Sequence, residues 1–181
     1  SEIKELLNSD AKKVLPGRLI CKSSNANRCI KNTKSTSLLY IFIKKFKFKG
    51  IEDILSNLKD VDFSFIKSDF VARCSREGNH AFASGDVEKK IGEFIFNKGH
   101  KVSLNSNEIV YLDIIGNVCM LGRLISSKLD KRPYRIRINN QSITPILAYS
   151  FLKFANVKET DSLLYQFCKD GTMLIEAFLL G

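Results

Sequence analysis

The alternation of apolar and polar residues is clearest between residues 70 and 125. Val87, Ile91, Phe94 and Ile95 recur at helical spacing behind Ser84-Gly85-Asp86, with Asp86 and Glu88 in the first turn. This predicts an amphipathic helix that ends at Lys98-Gly99. Ile109 to Ile115 and Val118 to Ile125 flank Gly116-Asn117, which predicts two strands joined by a tight hairpin turn. Phe70 to Cys74 reads as a strand, and Phe63 and Phe65 as extended chain. After Gly50, the residues Ile51, Ile54, Leu55 and Leu58 fall on one side of a short helix. The apolar run that Ser37 precedes, LLYIFIKKF, fits a helix or a strand, and its periodicity leaves the choice open.

The pattern is thinner towards both ends. Glu2 to Leu7 predicts a helix, Leu15-Pro16-Gly17-Arg18 a turn and Leu19 to Lys22 a short strand. Residues 23–37 are polar and read as an exposed connection. Arg132, Arg135 and Arg137 alternate with Pro133, Tyr134 and Ile136, which predicts an extended linker. Leu147 to Ala155 reads as an amphipathic helix. Leu163 to Phe167 reads as a strand and Cys168 to Gly171 as a turn. Thr172 to Leu180 reads as a helix with apolar Leu174, Ile175, Phe178 and Leu179 on one side and Glu176 as a helix-surface or packing residue rather than a catalyst. A strand, a glycine turn and a helix are how α/β nucleotide-binding domains begin. The fold class expected from these elements is α+β.

Composition adds three constraints. The net charge of +10 over 181 residues points to a polyanionic partner, most often nucleic acid. It is spread unevenly, with 13 basic and 7 acidic residues in the first 64. Five cysteines without a CxxC pair, beside only two histidines, argue against a structural zinc site and a disulfide framework. Reduced thiols in a cytoplasmic protein are expected instead. No apolar run is long enough to cross a membrane, and SEIKELLNSD lacks a signal-peptide core.

Two stretches carry a resemblance. FVARCSREGNHAFASGDVEKKIGEFI, residues 70–95, resembles the THUMP domain of RNA-modifying enzymes through its Arg-x-Gly-x-His, aromatic and amphipathic-helix pattern. The following strand with Asp113, the Gly116-Asn117 turn and VCMLG extend the likeness over residues 47–128. Downstream, FCKDGTMLIEA resembles the DPFCGSGTxLIEA entry of the Rossmann-fold domain in the THUMP-containing tRNA (guanine-N2-)-methyltransferases. Phe167, Cys168, Gly171, Thr172, Leu174, Ile175, Glu176 and Ala177 match that pattern. Tyr165 and Gln166 replace Asp-Pro, and Lys169 and Asp170 replace Gly-Ser. Thr172 after Gly171 brings the motif nearer to the enzymes that act on position 6 of the acceptor stem.

The resemblance implies three parts: an incomplete ferredoxin-like segment at 1–46, a THUMP domain at 47–128, and a linker with the start of a methyltransferase domain at 129–181. It implies RNA contact by Arg73, Arg76, His80, Lys101, Arg132, Arg135 and Arg137, with tRNA as partner. It makes Phe167, Cys168, Gly171 and Thr172 the remnant of an S-adenosylmethionine site, the cofactor of the parent family. Lys169 carries a Cβ where the family has glycine, Asp170 a carboxylate where it has serine, and the motifs that hold the target amine are absent from the sequence. The expectation is therefore an RNA-holding portion with no catalytic residue and no cofactor of its own. It is either a fragment of a longer enzyme or a non-catalytic subunit beside a separate methyltransferase chain. A THUMP module of a thiolation or deamination system is the remaining alternative. Lys44, Lys45, Lys47 and Lys49, interleaved with Phe46 and Phe48, suit a phosphate-tracking strand and a half-buried strand equally.

Overall fold

The chain runs α1 (Glu2–Leu7), β1 (Ala11–Leu15), β2 (Arg18–Cys21), α2 (Ala26–Asn32), β3 (Leu39–Lys47) and α3 (Ile51–Asn57). It continues through β4 (Phe70–Glu77), α4 (Ser84–Phe96), β5 (Glu108–Ile115), β6 (Val118–Ser126), α5 (Pro145–Phe154) and α6 (Thr172–Phe178). The computed structural model describes residues 2–23, 25–136 and 140–180. Arg137, one of the arginines singled out in the linker, lies outside them. The chain divides into a central unit, Tyr40–Ile125, and a terminal unit built from Ser1–Leu39 together with Ser126–Gly181.

The central unit is one mixed sheet in the order β3-β6-β5-β4. Strands β4 and β5 are parallel, with α4 as their crossover, and β5 and β6 form the antiparallel hairpin. The ambiguous run resolves as a strand because its last turns alternate: Phe46 and Phe48 are buried while Lys45, Lys47 and Lys49 are exposed. Ile54 and Leu58 from the α3 region and Val87, Ile91 and Ile95 from α4 are fully buried with Phe70, Leu112, Ile114 and Leu121 of the sheet. Each such side chain stabilises the fold by about 1.5–3 kcal/mol through burial. Phe63 and Phe65 are not strand residues. They pack at 6.0 Å between ring centroids in a loop, held by their rings rather than by a backbone ladder. Gly122 marks a close approach, because a Cβ there would lie 2.3 Å from Tyr40 Cδ2 and 2.6 Å from the Ile41 carbonyl oxygen.

Within the terminal unit, β1 and β2 form an antiparallel hairpin with Lys12 opposite Ile20. The polar connection expected at 23–37 contains a helix, α2. Asn25 caps it by accepting from the Arg28 N–H at 3.1 Å, and Cys29 is its one buried residue. Pro145 opens α5 behind a Thr144 cap, as its lack of an N–H suits. The strand expected at 163–167 does not form, since no neighbouring strand pairs with those residues among the described ones. Helix α6 does form, yet it buries Thr172 and Glu176, while Phe178 is 85% exposed. Glu176 is thus a packing residue, and the apolar side with Leu174, Phe178 and Leu179 is the more open one.

Candidate functional site

Strand β4 delivers two of the candidate residues at its C-terminal half. Arg73 Nη1 donates to Glu88 Oε2 at 3.2 Å, and the second oxygen of that carboxylate accepts from the Cys74 N–H at 2.9 Å. One acid on α4 thus satisfies both a cation and a backbone donor of the sheet edge. Burial, with Glu88 and Asp113 nearby, pushes the Cys74 thiol up to about 12, so it stays protonated at neutral pH.

Arg76 and His80 lie at the end of the same strand and in the loop behind it. Arg76 Nη1 donates to the Gly78 carbonyl at 3.1 Å and lies 3.0 Å from His80 Nδ1. A guanidinium only donates, so Nδ1 accepts and the imidazole proton sits on Nε2. Nε2 then donates to the Gly116 carbonyl at 2.6 Å. The ring is stacked with Phe48 at 6.0 Å and packs beside Phe82 at 5.1 Å. His80 therefore clasps the β4–α4 loop to the β5–β6 turn. Gly78 takes φ +113, and its Cα side faces Gly116 closely enough that a Cβ would meet backbone at 3.4 Å. Lys101 stands apart from this group, 78% exposed and 3.6 Å from Asp69.

The terminal unit gathers a second set. Arg132 Nε donates to Glu176 Oε1 at 2.8 Å, and Tyr134 Oη donates to the same oxygen at 2.6 Å. The other guanidinium nitrogens of Arg132 donate to the Leu129 and Lys34 carbonyls, each at 2.8 Å. Lys34 and Ser35 in turn donate their N–H groups to Glu2 at 2.7 and 2.8 Å, and Thr33 Oγ1 adds a third bond at 3.0 Å. Burial alone would raise the Glu2 carboxyl, but the bonds from Ser35, Lys34 and Thr33 hold it below its usual range. Burial and the bond to Glu176 push the Tyr134 phenol well above its usual range. The chain Glu2, 33–35, Arg132, Glu176 thus ties α1 to α6. Arg132 is turned inward to an acid instead of outward from an extended linker, and its side chain is only 11% exposed.

The glycine-turn residues come next. Arg135 Nη2 donates to Asp170 Oδ2 at 3.2 Å. Asp170 Oδ1 accepts from Thr172 N at 3.2 Å and from Thr172 Oγ1 at 2.8 Å, which caps α6 from within its own turn. Burial raises the Asp170 carboxyl, yet the bonds from Thr172 and Arg135 outweigh it and hold the group at about 2. Gly171 has φ +74 and Lys169 φ +48, so a lysine occupies a left-handed position that favours glycine. Lys169 Nζ donates to Gln141 at 3.1 and 3.2 Å. Phe167 and Cys168 are exposed.

Sequence reasoning missed Glu2, Glu88, Tyr134 and Glu176, whose partners lie 14 to 44 residues away. Local spacing carries no signal for such pairs. No group of three His, Cys, Asp or Glu is placed to hold a metal among the described residues. No described helix is long and apolar enough to cross a membrane.

Residues 132–181 match the UPF0020 family, described as an RMKL-like methyltransferase domain. Over 159 residues the chain is 26% identical to a tRNA (guanine(6)-N2)-methyltransferase of Archaeoglobus fulgidus, covering 82% of this chain and 41% of that protein. It is 32% identical over 122 residues to a tRNA sulfurtransferase of Thermoplasma volcanium, covering 66% of this chain and 24% of that one. The fold is similar to the crystal structure of TrmN from Thermus thermophilus, with a TM-score of 0.73 and 25% identity over 99% of this chain and 57% of the other. The chain spans less than two thirds of the length of each of these proteins. The C-terminal stretch thus matches a methyltransferase-domain family, and the homologues of the longer stretch are tRNA-modifying enzymes.

Proposed function

We propose that the chain is the RNA-holding part of a tRNA guanine-N2-methyltransferase, binding the acceptor stem and 3′ end so that a fixed spacing selects one guanine. In this reading residues 47–128, with β3 joined to their sheet, are a THUMP domain, 1–46 a ferredoxin-like segment, and 129–181 a linker with the start of the methyltransferase domain. The observation that carries it is the likeness to a tRNA (guanine(6)-N2)-methyltransferase across both units, 159 residues in all. The net charge of +10 supports a polyanionic partner. Recognition of this kind reads phosphates and shape more than base edges.

S-adenosylmethionine is the methyl donor that the resemblance implies, and residues 167–172 do not fit it as they stand. The Thr172 N–H and hydroxyl are already taken by the ionised Asp170, which would repel the carboxylate of the donor. Lys169 places a side chain on the turn and anchors it to Gln141. No methyl-transfer step runs through these residues alone.

A second reading has one observation in its favour. Leu164, Phe167 and Phe178 are 83%, 72% and 85% exposed, an apolar set that a methyltransferase sheet on a separate chain would cover. A thiolation system is the weaker option, because a methyltransferase-domain family matches residues 132–181.

The test is binding of the purified chain to tRNA with and without its 3′ CCA end, beside calorimetry with S-adenosylmethionine. CCA-dependent binding without cofactor heat is the expected result. Cofactor binding would refute the account of the turn, and no tRNA binding would refute the function.

A further inference from the structure

We propose that the β1–β2 hairpin and α2 form the main phosphate-contacting face for RNA, an inference that rests on the RNA-holding role. Charge is the first ground. Between Asp10 and Glu52 the sequence has no acidic residue. Of the net +10, residues 1–39 hold eight basic and three acidic side chains and residues 126–181 eight and five, a net +8 for the terminal unit. The central unit, with 13 basic and 11 acidic residues, has a net charge of only +2.

Pairing is the second ground. In the central unit Lys44, Arg73, Lys90, Lys101 and Arg123, five of its 13 basic residues, have a carboxylate partner, namely Asp60, Glu88, Glu52, Asp69 and Glu108, and in the terminal unit Lys4, Arg132, Arg135 and Lys153 do. Lys12, Lys13, Lys22, Arg28 and Lys31 are exposed, and none has an acidic partner among the described residues. Unneutralised cations held together repel one another, and a polyanion relieves that repulsion while releasing its own counterions.

Geometry is the third ground. Lys12 lies opposite Ile20, so strand alternation sets it on the same face as Lys22, just past the end of β2. Lys13, opposite Leu19, takes the other face. Arg28 and Lys31 are one helical turn apart on α2, whose buried residue is Cys29. The helix has seven residues, ANRCIKN, and no apolar outer stripe, which suits a phosphate backbone better than a lipid surface.

Fluorescence anisotropy of the full chain with a tRNA transcript, titrated across salt concentration, tests the assignment. Lys12→Gln, Lys22→Gln and Arg28→Gln, which leave Lys13 on the opposite face untouched, are combined in one variant, the hairpin variant. The control removes equal charge from the central unit through Lys47→Gln, Lys49→Gln and Lys89→Gln. The expected result is that the hairpin variant lowers the slope of log K against log salt by about 2 to 3, at 0.7–0.9 per lost phosphate contact, and that the control lowers it by less than about 1. Equal losses in both variants, or an unchanged slope in the hairpin variant, overturn this inference and leave the proposed function standing. Binding of phosphatidylserine vesicles in preference to tRNA also overturns it. Failure of the unaltered chain to bind tRNA overturns both readings.

Discussion

Arg132 and Glu176 meet at 2.8 Å with side chains 11% and 0% exposed, although 44 residues separate them in the sequence. The pair is closed on one side only, since Glu176 Oε2 is buried without a partner among the described residues. Removing either member leaves the other charge buried and uncompensated. Glu176→Ala is expected to destabilise the terminal unit by about 3–5 kcal/mol. Replacing both residues together, Arg132→Met with Glu176→Leu, should recover most of that loss. Guanidinium unfolding midpoints of the unaltered chain and the two variants check it, and a midpoint unchanged in Glu176→Ala would remove the pair from the account.

Asp170 gives a pH dependence with a definite sign. Its carboxyl is held at about 2 in the folded chain, below the ordinary aspartate value of about 3.8. Its stabilising contribution is thus complete above about pH 4 and is lost as the pH falls towards 2. Asp170→Asn should flatten the stability profile in that window and leave it unaltered in shape near pH 7. Thermal melts between pH 2 and 5 measure this, and parallel curves for both proteins would contradict it.

Gly122 tests the central sheet. A methyl group there meets the Tyr40 ring at 2.3 Å and the Ile41 carbonyl at 2.6 Å. The ring can swing aside and the carbonyl cannot do so without moving β3. Gly122→Ala should cost about 1–3 kcal/mol, and Gly122→Val more. Hydrogen exchange at the amides of β3 should rise in the alanine variant, and protection at the level of the unaltered chain would show that the sheet absorbs the methyl.

The thiols should separate by reactivity. Cys168 is exposed, Cys29 and Cys119 are buried, and burial pushes Cys74 up to about 12. A disulfide reagent at pH 8 should modify one thiol rapidly in the native chain, and Cys168→Ser should abolish that phase. Persistence of the fast phase in the variant would place the accessible thiol elsewhere.

How much of this was legible in the sequence depended on where each partner lay. The α4 stripe of Val87, Ile91 and Ile95 and the turn at Gly116-Asn117 are local, and the structure reproduces both. Helix α2 escaped notice because Cys29 is its only buried residue and Asn25, its cap, also suits a loop. In α6 the apolar spacing did not mark the buried side. Arg132 and Tyr134 come to it from a distant segment and make the polar side, with Thr172 and Glu176, the buried one. Leu163 to Phe167 have strand composition but lack a neighbouring ladder among the described residues. Of the candidate site, Arg76 and His80 were read together from one motif and the structure joins them, whereas the acids that fix Arg73, Arg132 and Arg135 carried no local mark.

The hydrogen-bonded chain from Glu2 through residues 33–35 and Arg132 to Glu176 sets an order of events during synthesis. Tyr40–Ile125 is a compact unit of its own, and its sheet has all but the outermost residues of its strands once that stretch has left the ribosome. Residues 33–35 are made before that stretch, and their tie to Arg132 can close only after it. Until residue 132 emerges the carbonyl of Lys34 lacks its guanidinium partner, and until residue 176 emerges that guanidinium lacks its carboxylate. For a chain growing at about 5–20 residues per second, the stretch from Lys34 to Glu176 takes about 7–28 s to make. During that time the cations of residues 1–39 are already made while the bonds that join residues 33–35 through Arg132 to α6 are still open.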